Sequence, residues 1–143
     1  MPRPVGLIHD DLFRRLVMSR DFIADAYDQP LRLESMAKKA GVSPFHFQRR
    51  FSAAFEQTPH QFLTKLRLER AKTKLLSDHQ SVTEICFDVG FSSLGSFSAL
   101  FTKHVGCSPR EYRRRMKAIH QVPQAFERML IPGCFLFFFG SRG

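Results

Sequence analysis

The chain contains two copies of one pattern, LESMAKKAGVS at residues 33–43 and VTEICFDVGFS at residues 82–92. Each copy continues with two phenylalanines four residues apart and then with a Thr-Pro or Ser-Pro pair. Gly41 and Gly90 are 49 positions apart, whereas the phenylalanines and prolines that follow are 50 apart, so the second copy has one additional residue just after its glycine. A short helix, a glycine turn and a second helix form a helix-turn-helix. The sequence therefore predicts two such motifs in one chain.

Capping residues mark the starts of most of the predicted helices. Ser43 is followed by proline, and Thr58, Ser81 and Ser108 are each followed three residues later by Gln or Glu, the spacing of a capping box. The predicted helices span roughly 10–27, 33–40, 44–55, 59–76, 82–89, 93–105 and 109–118, and no strand signal precedes residue 130. Gly41 is expected to end its helix in a left-handed conformation, and Gly90 likewise.

The predicted fold class is all-α. We expect a seven-helix double helix-turn-helix domain, in which two three-helix units are joined by a long linker helix. The predicted organisation is a domain at 1–122 (first motif about 33–55, linker helix 59–76, second motif about 82–105, last helix 109–118) and a short apolar C-terminal tail at 123–143. The apolar side of the linker helix is predicted to consist of Phe62, Leu66, Ala71 and Leu75. At 1.5 Å per residue this helix is about 27 Å long. We call the second helix of each motif its reading helix. The length of the linker suits two reading helices that lie one turn of DNA, about 34 Å, apart.

Positive charge is concentrated on the repeated region. The chain has 143 residues and a formal net charge of +9, and residues 31–122 hold sixteen Lys/Arg against seven Asp/Glu. Such a surplus favours a polyanionic partner, although a basic surface also suits acidic proteins and membranes. Together with the duplicated motif, the charge favours double-stranded DNA.

No pattern in the sequence indicates catalysis or a bound metal. Cys86, Cys107 and Cys134 have no CxxC spacing, and the six histidines are scattered. The apolar run at 134–139 is far shorter than the about 18 residues of a membrane span, and the charged first thirty residues do not form a signal peptide. We therefore expect no cofactor and no enzymatic activity, in a cytoplasmic protein.

A long series of positions matches one known family. These positions are Leu33, Met36, Ala37, Ala40, Gly41, Val42, Ser43, Phe47 and Phe51 in the first copy, and residues 85–93, Phe97, Phe101, residues 106–109, Tyr112 and Arg113 in the second. On the basis of these positions, residues about 17–117 resemble the DNA-binding domain of the AraC/XylS family of bacterial transcription regulators. The resemblance implies that the second helix of each motif enters the major groove of a short, asymmetric promoter site.

Many members of that family carry an effector-binding domain before the DNA-binding one. Only about sixteen residues precede the resemblance here, so we expect a stand-alone DNA-binding member, regulated by its abundance or by a partner. RNA polymerase is a candidate partner besides DNA, and the protein is expected at the nucleoid. We expect a monomer, with a dimer formed through the tail as the alternative.

The first reading helix has long polar side chains on its outward face. Base-reading candidates there are Phe45, His46, Gln48 and Arg49. Arg can pair with guanine and Gln with adenine in the major groove, and Phe45 could lie against a thymine methyl. The alternative is that Gln48 and Arg49 are simply solvated.

The second reading helix has small side chains instead. Its base-reading candidates are Leu94, Gly95 and Ser98. The small residues could allow close approach to DNA, but many family members have a long polar residue here. We therefore favour the interpretation that the first motif specifies the site and the second anchors the protein.

Phosphate contacts are expected around both reading helices. The candidates are Ser43, Arg50, Ser93, Thr102, Lys103 and Arg113. Arg113 belongs to a basic cluster on the last helix with Arg110, Arg114, Arg115 and Lys117, for which phosphate contact and simple solvation are equally good interpretations.

Three functions remain open from the sequence. The leading hypothesis is a sequence-specific transcription regulator. The others are a non-specific architectural DNA binder and a DNA-repair alkyl-acceptor protein, which would require a cysteine of low pKa beside basic or metal neighbours. The tail is outside the family resemblance. Its run from Cys134 to Phe139 reads as strand-like, and we expect it to dock on the domain itself rather than mediate self-association or contact a partner or membrane surface.

Overall fold

The computed structural model describes the backbone of residues 5–77 and 79–120, and the side chains of 10–77 and 79–119. Over these residues it has seven α-helices and no strand. They are α1 (Val5–Asp25), α2 (Leu33–Ala40), α3 (Pro44–Phe55), α4 (Pro59–Leu75), α5 (Val82–Asp88), α6 (Leu94–Val105) and α7 (Pro109–His120). The all-α double helix-turn-helix prediction is confirmed. Predicted and observed helix ends agree within two residues, except that α1 begins five residues earlier than predicted. The predicted tail lies outside the described residues.

The predicted capping residues lie at the starts of the helices. Ser43 Oγ accepts a hydrogen bond from the His46 N–H at the start of α3. Thr58 and Ser81 form complete capping boxes at α4 and α5. Ser108 Oγ accepts from the Glu111 N–H at 3.2 Å, whereas the Glu111 carboxylate pairs with Arg115. Local hydrogen bonds of this kind satisfy backbone donors that a helix start leaves free.

The core has two parts. The first consists of Leu16, Ile23, Met36, Ala37, Ala40, Phe47, Phe51 and Leu63, and the second of Leu68, Ala71, Leu75, Ile85, Cys86, Val89, Phe97 and Phe101. We call α1–α3 together with α4 up to Leu63 the first half. We call α4 from Leu68 onward together with α5–α7 the second half. The repeated phenylalanines are 0% exposed, as predicted, and burying each side chain contributes about 1.5–3 kcal/mol.

The linker helix α4 serves both cores, and its predicted apolar side is partly wrong. The buried leucines of this helix are Leu63, Leu68 and Leu75, whereas Phe62 and Leu66 are half-buried. Leu63 packs in the first core, while Leu68 and the two buried residues after it pack in the second. The two cores lie on different sides of the helix, so no single stripe describes it. With 17 residues, α4 is about 25 Å long.

Both turn glycines have the predicted left-handed backbone, with φ of +67° at Gly41 and +96° at Gly90. The residue after each glycine donates its N–H to a carbonyl five positions back, at 3.3 and 3.1 Å, which closes the preceding helix. The turn after α6 also uses a glycine, Gly106, with φ +90°, and its counterpart fifty positions earlier is Glu56, with φ +55°.

Candidate nucleic-acid interface

The outward face of α3 is formed by exposed positions before and between its two buried phenylalanines. Phe47 and Phe51 fix this helix against the first core, because residues four apart lie on one side of a helix. As a result His46, Gln48, Arg49 and Arg50 are all exposed. The first motif therefore presents the long polar side chains that the sequence predicts.

Phe45 and Arg49 form a pair on that face. Phe45 is 74% exposed, the largest exposed fraction among the large hydrophobic residues of the described part of the chain. The Arg49 guanidinium carbon lies 5.7 Å from the centroid of that ring, within the range of a cation–π contact. With His46 and Arg50, the two residues line a shallow cleft, so Arg49 is held beside an apolar surface.

The outward face of α6 has shorter side chains and less charge than that of α3. Leu94 is 39% exposed, and Gly95 and Ala99 are exposed, whereas Ser98 is half-buried. Of the base-reading candidates in this helix, Leu94 and Gly95 are therefore the ones that the fold presents most openly. The first cation on α6 is Lys103, close to its end.

The fifty-residue offset allows the two faces to be compared directly. Gln48 corresponds to Ser98, and Arg49 corresponds to Ala99. At both positions a long hydrogen-bonding side chain in the first motif is replaced by a short one in the second. The two helices are equally long, with 12 residues each, but their side chains differ in the capacity to reach base edges.

The phosphate candidates fall into two groups. Ser43 and Ser93 are the capping residues of α3 and α6, and each therefore stands where the helix N-terminus is electropositive. The Thr102 hydroxyl donates to the Ser98 carbonyl at 2.8 Å, so it points along its own helix. Arg50 and Lys103 are exposed and available to an anion.

Arg113 is placed differently from the prediction. Its Nε donates to the Leu75 carbonyl at 3.2 Å, and its Nη2 donates to the Gln80 carbonyl at 2.6 Å. The guanidinium therefore ties α7 to the end of α4 and to the segment before α5. Two of the guanidinium donors are thus used on backbone carbonyls inside the second half, and the phosphate contact of Arg113 stays a prediction. Elsewhere in the basic cluster, Arg114 and Arg115 pair with Glu111, and Arg110 is exposed.

Both cysteines in the described part of the chain are buried. Cys86 is fully buried, and burial raises the pKa of its thiol. Cys107 is buried at the start of the turn before α7. Between residues 5 and 120, leaving out 78, no helix is long and apolar enough to cross a membrane. The same residues contain no cluster of three or more side chains suited to a metal ion.

The fold and this interface define a double helix-turn-helix domain, and comparisons with known proteins agree. A family model described as "Helix-turn-helix domain" matches residues 36–115. The regulatory protein SoxS of Salmonella typhimurium is 30% identical over 76% of this chain and 98% of its own length. An uncharacterized HTH-type transcriptional regulator of Escherichia coli, YdiP, is 32% identical over 78% of this chain, but this chain spans only 34% of that protein.

Solved structures give the same result. The DNA-binding domain of AdpA, determined in complex with a target DNA, superimposes with a TM-score of 0.71 at 26% identity, over 76% of this chain and 97% of that one. The chain belongs to the AraC/XylS family of transcription regulators.

Proposed function

We propose that the protein is a sequence-specific DNA-binding transcription regulator in which α3 reads bases and α6 anchors the chain in the next segment of the major groove. The observation that carries the proposal is the difference between the two outward faces. Gln48 and Arg49 can form bidentate pairs with bases, whereas Ser98 and Ala99 at the matching positions cannot. The AdpA domain in complex with a target DNA supports DNA as the ligand.

We further propose that the protein acts as a monomer on nucleoid DNA in the cytoplasm, with RNA polymerase as a second partner. Two motifs in one chain support the monomeric state, because a single chain can contact two successive groove segments without a partner subunit.

The test of base reading begins with selection of bound sequences from random duplex. On the selected site, Arg49→Ala should cost about 1–3 kcal/mol of binding free energy and relax the preference at one base pair. The Arg49 guanidinium is exposed beside the Phe45 ring, so its loss should leave the fold intact. Binding isotherms on the selected and random duplexes measure the effect.

Lys103→Ala is the matched control, because it removes one exposed cation from the second reading helix. It should weaken binding to all sequences similarly and reduce the salt dependence by about one charge. If Arg49→Ala behaves in the same way as Lys103→Ala, Arg49 contacts phosphate and the proposed reading role is wrong.

One feature, the short side chains of α6, favours the alternative of an architectural DNA binder. This alternative predicts that the selection enriches no sequence. Such a result would contradict the proposal of sequence-specific binding. The alkyl-acceptor alternative requires a thiolate nucleophile. Burial gives Cys86 the opposite shift, a raised pKa, so among the described cysteines this residue does not support that chemistry.

A further inference from the structure

The two halves meet at a second place besides the linker helix. The segment between α1 and α2, which contains Tyr27 and Gln29, lies against the turn of the second motif, which contains Gly90 and Phe91. Tyr27 packs on the edge of both cores. We call these four residues together with Arg67 the junction.

Arg67 is the side chain that joins the parts of the junction. Its Nε donates to the Tyr27 carbonyl at 2.6 Å, and its Nη2 donates to the Gln29 carbonyl at 2.8 Å. The same guanidinium lies 5.8 Å from the centroid of the Phe91 ring. One planar group on α4 thus holds the backbone of the first half and packs on the second motif.

Gly90 permits this close approach. A Cβ at position 90 would lie 2.8 Å from the Tyr27 carbonyl oxygen and 2.9 Å from the Arg67 guanidinium carbon. No side chain fits in that space without movement of the first-half backbone. At the equivalent turn of the first motif, Arg15 donates to the Ala40 carbonyl at 3.0 Å, but both partners belong to the first half.

We propose that Arg67 is a positioning residue that sets the relative orientation of α3 and α6, and with it the spacing between the two DNA segments that the chain accepts. A single connecting helix leaves two small cores free to twist about its axis, since small interfaces between units permit relative motion. A second attachment away from that axis restricts the twist. The proposal rests on the proposed function only in assuming that both reading helices contact DNA.

Variants of Arg67 and Arg113 distinguish an effect on the orientation of the two reading helices from an effect on the stability of the fold. Arg67→Met removes both carbonyl bonds and the charge, whereas Arg67→Lys keeps the charge and can restore one bond. Arg113→Met is the matched control, because Arg113 also bonds two backbone carbonyls through a guanidinium, but it does so wholly inside the second half. A merely structural role of Arg67 would make the two Met variants equivalent.

The first measurement needs no DNA. Spin labels on Ala53→Cys in α3 and Lys103→Cys in α6 report the distance between the reading helices in a Cys134→Ser background, where the remaining Cys86 and Cys107 are buried. We expect a narrow distance distribution in the parent and in Arg113→Met. In Arg67→Met it should broaden about twofold, with partial recovery in Arg67→Lys. A broad parent distribution, or an unchanged Arg67→Met distribution, would overturn the proposal.

If Arg67→Met does not fold, Gly90→Ala disturbs the same junction from the other side. Gly106→Ala is its control, because the backbone φ is similar and nothing lies within 4 Å of the added Cβ. Broadening in Gly90→Ala but not in Gly106→Ala supports the proposal, and equal distributions contradict it.

The second measurement is hydroxyl-radical footprinting on the site selected from random duplex. The unsubstituted chain should protect a second groove segment at one fixed distance, about one turn of DNA, from the base pairs that α3 reads. Arg67→Met should protect that second segment less sharply, and identical footprints of the two proteins would overturn the spacing role. Failure of the proposed function is a separate result, since it would appear as no enriched sequence while the distance distributions stay as expected.

Discussion

Gly90 and Gly106 share a left-handed backbone but have different surroundings. Their φ values are +96° and +90°, a conformation in which a residue with a Cβ is strained. The space around Gly90 is filled by the Tyr27 carbonyl and the Arg67 guanidinium, whereas the space around Gly106 is open. Alanine substitutions at the two positions therefore distinguish the cost of backbone strain from the cost of steric overlap.

We predict that Gly106→Ala lowers the free energy of unfolding by about 1 kcal/mol, through strain at positive φ alone. Gly90→Ala carries the same strain and also forces the Tyr27 backbone and Arg67 to move, so its cost should be about 2 kcal/mol larger. Urea unfolding of the two variants and the parent measures both costs. Equal destabilisation would show that the packing around Gly90 contributes nothing.

Two carboxylates on α5, those of Glu84 and Asp88, accept hydrogen bonds from neighbouring residues. The Ser81 N–H donates to the Glu84 carboxylate at 2.6 Å, and Ser81 Oγ accepts from the Glu84 N–H. The bond from the Ser81 N–H, together with the Ser81 side chain, lowers the pKa of Glu84. At the other end of α5, hydrogen bonds from Gln80 and Lys74 lower the pKa of Asp88.

The direction of the acid effect follows from these shifts. A carboxyl whose pKa is lower in the folded than in the unfolded state stabilises the fold above its unfolded pKa and ceases to do so as the pH falls through the folded one. We predict that stability declines below about pH 4.5, the ordinary value for Glu. Thermal melting between pH 7 and pH 3 measures the decline.

Glu84→Gln tests the assignment of that decline to the cap of α5. Gln fills the same role in the α4 capping box, where Gln61 Oε1 accepts from the Thr58 N–H at 2.9 Å. The substitution should therefore keep the cap and remove its titration, so that stability falls less between pH 5 and pH 3. A decline as steep as that of the parent would assign the acid effect to other carboxyls.

At the scale of the whole molecule, the described residues form two small cores that share one helix. Residues 121–143 lie outside the described residues, and they contain the run from Cys134 to Phe139. Such a segment is an aggregation hazard when it is exposed. We therefore keep the prediction that it docks on the domain.

Docking predicts that deletion of residues 131–143 lowers the melting temperature and leaves a monomer that still binds DNA, because an apolar surface loses its cover. Sedimentation and melting of the full chain and the shortened one provide the comparison. A full-length dimer that dissociates on deletion would instead assign the tail to self-association.

Local chemistry allowed most of the helices to be predicted. Caps, turn glycines and paired phenylalanines act over three to five residues, and so their effects can be recognised in the sequence alone. The same holds for the exposed face of α3, since residues that flank two buried positions on a helix must point outward. These features determined the double helix-turn-helix and the candidate reading residues.

Tertiary packing decided the roles of three polar side chains. Ser19 is buried and donates to the Met36 carbonyl at 2.7 Å, although a serine in an apolar stripe gives no sign of its partner. Arg113 bonds the Leu75 carbonyl 38 positions away, and Arg67 bonds the Tyr27 carbonyl 40 positions away. In the sequence both arginines are indistinguishable from solvated charges. Their partners are backbone carbonyls left free at chain turns, and only the packing of the helices brings those carbonyls within reach.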